Sequence, residues 1–193
     1  MFLRSSTLLV VACSLSSAFS QTTTKPAAQD VDHDFVQKQF GSSCTLVPGP
    51  QPMTADLNGD GVEDVVIVAR CADPLMDEAE RNYKVIDPYD AFFGYGDPKV
   101  TTKFASEDPQ RRGLTLLIIH GAGSEGWHAA EPKAKFIVIN LPFKQLAVKK
   151  LTVRKKTVMA IYAEEAREGE GTVSAIFWDG KKYKYQPLGS TME

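Results

Sequence analysis

The sequence predicts a mainly β (α+β) domain: a twisted, mostly antiparallel sheet or small sandwich with one or two short helices. Three observations carry this expectation. Runs of β-branched and apolar residues recur at Val65–Ala69, Leu114–His120, Lys135–Asn140 and Thr157–Tyr162, each too short for a helix. The segments Thr172–Trp178 and Lys181–Gln186 flank Asp179-Gly180, a pair suited to the positive φ angles of a two-residue type I′ turn. Helical signals are confined to brief stretches. At 193 residues, 43% hydrophobic and 24% charged, the chain has the size and composition of one globular domain.

Taken in order, Arg4 followed by Thr7-Leu8-Leu9-Val10-Val11-Ala12, with small residues at Ala18 and Ser20, reads as a signal peptide over residues 1–20. That stretch is too short to span a membrane. A second reading makes Cys13 the acceptor of a lipoprotein anchor. Residues 21–32 are polar, small and aperiodic, and form a leader. The β-rich domain then runs from 33 to 193. Asp34 is a candidate cap for a helix over Phe35–Phe40, with Gly41 as its stop. Cys44–Val47 reads as a short strand, ended by Pro48-Gly49-Pro50. Val65–Ala69 reads as a central strand buried on both faces. Residues 72–113 read as a long irregular insertion, with Asp73-Pro74 opening a short helix through Arg81. Leu146–Val153 is a further strand, and Glu164–Gly171 an acidic, Gly-punctuated turn.

The stretch most specific for chemistry is Asp56-Leu57-Asn58-Gly59-Asp60-Gly61-Val62-Glu63-Asp64, with oxygen-bearing side chains at positions 1, 3, 5 and 9 and Gly at 6. Ca²⁺ takes six to eight oxygens at about 2.3–2.6 Å, and alternate residues of a curled loop can converge on such a point. The Val62 carbonyl is a further available oxygen. The competing reading is an Asx-rich turn that binds no metal. Cys44 and Cys71 bracket the loop and are an even pair once Cys13 leaves with the signal. In an oxidising compartment they form either a bridge or two buried thiols.

With Asp56, Asn58, Asp60, Gly61 and Asp64 in the pattern Asp-x-Asp/Asn-x-Asp-Gly-x-x-Asp just before a strand, the loop resembles the calcium loops of FG-GAP/VCBS-type repeats. The resemblance implies one Ca²⁺ held by those four oxygen-bearing side chains and the Val62 carbonyl. It covers residues 54–69, and no block recurs at a fixed period, so a full propeller is not expected. An EF-hand fits less well, because position 12 is Ile67 instead of a bidentate Glu and a strand follows where a helix is needed.

Other motifs are weaker. Gly121-Ala122-Gly123-Ser124-Glu125-Gly126 fits a dinucleotide loop, but Pro132 arrives before a helix can develop. His120 and Ser124 suggest a small secreted hydrolase as the alternative function, although the Gly-x-Ser-x-Gly elbow fails at Ala122. Tyr83, Tyr89, Phe92, Phe93 and Tyr95 are a candidate surface for a protein or glycan partner, or else a lid over the sheet. Lys149, Lys150, Arg154, Lys155 and Lys156 cluster at one turn, as protected edge or as acidic-glycan contact. A net charge of -2 argues against nucleic acid as partner. The expected function is a periplasmic or extracellular, non-enzymatic interaction module with a structural Ca²⁺ loop.

Overall fold

A computed structural model describes residues 31–94, 109, 111–166 and 171–190. The expected signal peptide with Cys13, most of the expected leader, and Tyr95 therefore lie outside the described residues. The elements are α1 (His33–Phe40), β1 (Cys44–Leu46), β2 (Met53–Ala55), β3 (Asp64–Cys71), α2 (Glu78–Arg81), β4 (Lys84–Ile86) and α3 (Pro88–Phe93). They are followed by β5 (Leu114–His120), a single 3-10 turn (Gly123–Glu125), β6 (Ala134–Val138), β7 (Phe143–Val153), β8 (Lys156–Glu165), β9 (Thr172–Trp178) and β10 (Tyr183–Ser190).

The strands form two sheets. Six strands make the first, in the order β1-β3-β5-β6-β4, with β2 also paired to β3. All its pairs are antiparallel except β4 with β6. The second sheet is the antiparallel meander β10-β9-β8-β7. Val66 and Val68 of β3, Leu116 and Ile118 of β5, and Phe136 and Val138 of β6 meet Ile161, Ala163, Ile176, Tyr183 and Tyr185 of the meander in one apolar cluster. The opposite face of the first sheet, including Val65, Ile67, Leu117 and Ile119, is covered by Phe35, Val36 and Phe40 of α1 together with Tyr83 and Trp127. β3 and β5 are therefore buried on both faces, which is why their sequences are continuous apolar runs and not alternating ones. The architecture is mainly β, with no closed barrel or propeller among the described residues.

Several local expectations are corrected. Among the described residues there are three short α-helices, where one or two were expected. The cap of α1 is Asp32, whose Oδ1 accepts the Phe35 amide at 2.7 Å, and not Asp34, which lies in the first turn. Gly41 ends the helix with φ 91°. Residues 95–108 and 110 of the expected insertion lie outside the described residues; in the part before them β4 pairs in parallel with β6 through Lys84↔Phe136 to Ile86↔Val138, and Pro88 opens α3 behind its Asp87 cap. α2 begins at Glu78, not at Pro74.

The β9–β10 connection is a four-residue loop, residues 179–182, because Asp179 Oδ1 gathers the amides of Lys181 and Lys182, both at 2.9 Å. The tight two-residue turn lies instead between β7 and β8, where Arg154 and Lys155 take φ 47° and 72°.

At the end of β5, backbone packs on backbone. A Cβ on Gly121 would lie 2.3 Å from the Glu63 carbonyl oxygen and 2.7 Å from the Trp127 nitrogen. Gly121→Ala is expected to destabilise by about 2–3 kcal/mol, since neither neighbour is a flexible side chain that can yield. Urea unfolding checks this, and a loss under about 0.5 kcal/mol would mean that the loop can move aside.

Candidate functional site

β2 and β3 pair through Met53↔Val66 to Ala55↔Asp64, so residues 56–63 are the loop of a hairpin. The loop is wound around its own carboxylates. Asp56 Oδ1 accepts the amides of Gly59 and Asp60 at 2.7 and 3.1 Å, and Oδ2 that of Gly61 at 2.8 Å. Asn58 Oδ1 accepts the Asp60 amide and Asp60 Oδ1 the Val62 amide, both at 2.9 Å. Gly59 and Gly61 take φ 78° and 83°, which a side chain would oppose. The remaining Asp60 oxygen accepts from the Lys133 ammonium at 2.7 Å, and that pair holds the Asp60 carboxyl below its usual range.

Asp64 works differently. It is fully buried, and Oδ2 accepts the amides of Leu57 and Asn58 at 2.8 and 3.3 Å, while Oδ1 accepts that of Gly121 at 2.9 Å. Burial pushes its carboxyl up to about 6 against the opposing pull of those amides. Leu57, 3% exposed, plugs the loop into the core between the sheets. Glu63 Oε2 accepts from the Trp127 indole at 3.1 Å. The predicted ligand residues are thus gathered in one loop, but into two groups: Asp56, Asn58, Asp60 and Val62 around the coil, and Asp64 beneath it. Among the described residues, no three His, Cys, Asp or Glu side chains converge as a metal cage.

Cys44 and Cys71 are bonded to each other and sit directly opposite on β1 and β3, with Cα atoms 4.0 Å apart. The predicted aromatic surface divides. Tyr83 is 3% exposed, packs on Phe40 and donates its hydroxyl to the Pro74 carbonyl at 2.8 Å, so it is a core residue. Tyr89, Phe92 and Phe93 gather around Tyr185 with ring centroids 5.1, 5.3 and 6.1 Å away. Phe92 and Phe93 remain 51% and 46% exposed.

His120 is 2% exposed, with Nε2 2.7 Å from the Tyr183 hydroxyl and its ring against Phe136 and Trp178. Ser124 is exposed on the 3-10 turn, so the two residues of the hydrolase reading are not brought together in a hydrogen bond. Burial lowers the His120 pKa to about 4. Sequence reasoning missed this His120–Tyr183 pair, which joins the two sheets, and also the role of Lys133. The alternation of Tyr183 and Tyr185 with lysines on β10 was the available signal for the first.

A pH dependence follows from His120. Its folded pKa lies below the unfolded value, so its contribution is complete above about 6.5 and is lost as pH falls towards 4. The loss reaches roughly 3 kcal/mol at 1.36 kcal/mol per pH unit. Asp64 and Asp87, both pushed up to about 6 by burial, act in the opposite sense, gaining stability as pH falls. The contrast with His120→Gln therefore isolates the histidine. Urea midpoints at pH 7 and 4 are expected to converge or cross between the two proteins, and parallel curves would refute a buried neutral imidazole.

No protein-family model matches the chain, and comparison with curated proteins and with solved structures likewise finds no match.

Proposed function

We propose that the protein is an exported, non-catalytic binding module whose β2–β3 hairpin is braced by one Ca²⁺. The observation that carries this reading is the winding of the loop. Three consecutive amides, of Gly59, Asp60 and Gly61, point at the Asp56 carboxylate, which holds Asp56, Asn58 and Asp60 on alternate positions of one coil. Two carboxylates, an amide oxygen and the Val62 carbonyl are hard ligands of the kind Ca²⁺ prefers. Water would complete such a shell. Asp64, fully buried and turned to the Leu57, Asn58 and Gly121 amides, would act chiefly as an anchoring charge under the loop. The Cys44–Cys71 bond supports export, because such bonds persist in oxidising compartments. The exposed rings of Phe92 and Phe93 support a binding role.

Extracellular Ca²⁺ modules bind at about 10⁻⁴–10⁻³ M. At 10–100 times that Kd, the ion would add about 1.4–2.7 kcal/mol. A melting temperature higher by roughly 3–8 °C in Ca²⁺ than in chelator is expected. Identical melts together with silent calorimetry would overturn the brace. Lys133 sharpens the test, since its ammonium sits on Asp60 where a metal would compete for the same oxygen. Lys133→Ala is expected to tighten Ca²⁺ binding by about 3- to 10-fold, by removing a nearby like charge. Unchanged or weaker binding would place the ion elsewhere.

A further inference from the structure

Between β4, the start of α3 and the β9–β10 loop lies a groove of about 540 Å³, within the size range of small-molecule sites. Its floor and walls include Phe92, Phe136, Trp178, Tyr183 and Tyr185. Lys84, Lys181, Lys182 and Lys184 also line it. The polar inventory of this lining is unusual. The Tyr183 hydroxyl is taken by His120 and the Tyr185 hydroxyl by Glu165, so both rings keep their polar ends in the interior. Asp87, the acidic residue of the lining, is 3% exposed and already accepts from Asn140 and the Asp90 amide. Lys184 pairs with Asp179 at 2.9 Å. Lys84, Lys181 and Lys182 are exposed, and no carboxylate of the described residues pairs with them.

Among the side chains, what is left for a ligand is ring surface and three ammonium groups. A neutral sugar needs many hydrogen-bonding partners, and this lining has few to spare. Inorganic phosphate would use the charge but none of the apolar surface. We propose that the groove binds a small amphipathic anion, its apolar body on the rings and its carboxylate or similar head among Lys84, Lys181 and Lys182. This deepens the binding-module reading and rests on it.

Amide chemical-shift titration of the ¹⁵N-labelled protein tests the assignment, with decanoate, decanol, decyltrimethylammonium and inorganic phosphate as probes. Decanoate is expected to saturate shifts at the groove amides with about ten-fold or greater preference over decanol, and over the cation by more. High salt should erase the preference, because these lysines are exposed. The triple variant Lys84→Ala/Lys181→Ala/Lys182→Ala should bind decanoate no better than decanol. Ala91→Trp, an exposed position on the groove wall, should block both. Equal binding of decanoate and decanol, or a preference that survives the triple variant, would overturn the anion assignment while leaving a binding groove. Phosphate as strong as decanoate would overturn the amphipathic one. If no probe moves a groove amide, the groove falls as a site, whereas the Ca²⁺-braced module stands or falls on the melts alone.

Discussion

Asp64→Ala is expected to lower the unfolding free energy by about 3–5 kcal/mol, because amide donors lose a charged acceptor at a fully buried site. Three amides, of Leu57, Asn58 and Gly121, lose their acceptor together, and each buried donor left unpaired costs about 1–3 kcal/mol. The alanine side chain also leaves a gap at a fully buried site. Asp64→Asn should lie between, since its carbonyl oxygen can serve one side while its NH₂ faces a donor on the other. Urea unfolding at pH 7 in chelator is the measurement, because it separates the amide bonds from any ion. A loss below about 1 kcal/mol would mean that the loop and the end of β5 are held by packing, with the carboxylate incidental.

Removing the Cys44–Cys71 bond is expected to cost about 3.5 kcal/mol, the chain-entropy value for the 27-residue separation it closes. Comparing the oxidised protein with Cys44→Ala/Cys71→Ala in guanidinium unfolding tests this. Reduction of the wild type, which keeps both sulfur atoms in place, separates loss of the crosslink from loss of buried volume. A change below about 1 kcal/mol on reduction would show that the unfolded chain already holds these strands together. The two sites lie at opposite ends of the eight-residue strand β3, roughly 20 Å apart at about 3.3 Å per residue, so their effects should add.

What the sequence revealed follows physical scale. β3 and β5 were legible because a strand buried on both faces must be apolar throughout, and their runs are. β4 was not, because three residues paired in parallel with β6 carry no periodicity of their own. The Arg154-Lys155 turn was missed because neither residue favours positive φ; pairing of the two long strands β7 and β8 around it holds the turn in place. Asp32 and Asp34 are both plausible caps two residues apart, a choice that local pattern does not resolve.

At the site, the spacing Asp56, Asn58, Asp60 and Asp64 drew attention to the loop that the structure shows wound around its own oxygen-bearing side chains. It did not distinguish Asp64 from the rest, because that difference arises at Gly121, 57 residues later. The Lys133–Asp60 and His120–Tyr183 contacts are hidden for the same reason, as partners 73 and 63 residues apart leave no local trace. Of the five aromatic residues singled out, Tyr83 separated from Tyr89, Phe92 and Phe93 only once β4 and α3 gave them different directions.

The same apolar continuity that made β3 easy to find leaves it poorly aligned by hydrophobicity alone. Val65, Ile67 and Ala69 face α1 while Val66 and Val68 face the meander, and the two sets are nearly interchangeable in chemistry. Sliding β3 by one residue against β5 would exchange its faces at little cost in burial, whereas in an alternating strand it would place polar groups in the core. The alignment must therefore be written in something other than greasiness. It is written at the two ends, where the Cys44–Cys71 bond fixes β3 against β1 and Asp64 accepts the Gly121 amide just past β5, so the covalent bond marks the alignment with one neighbour and the buried carboxylate with the other.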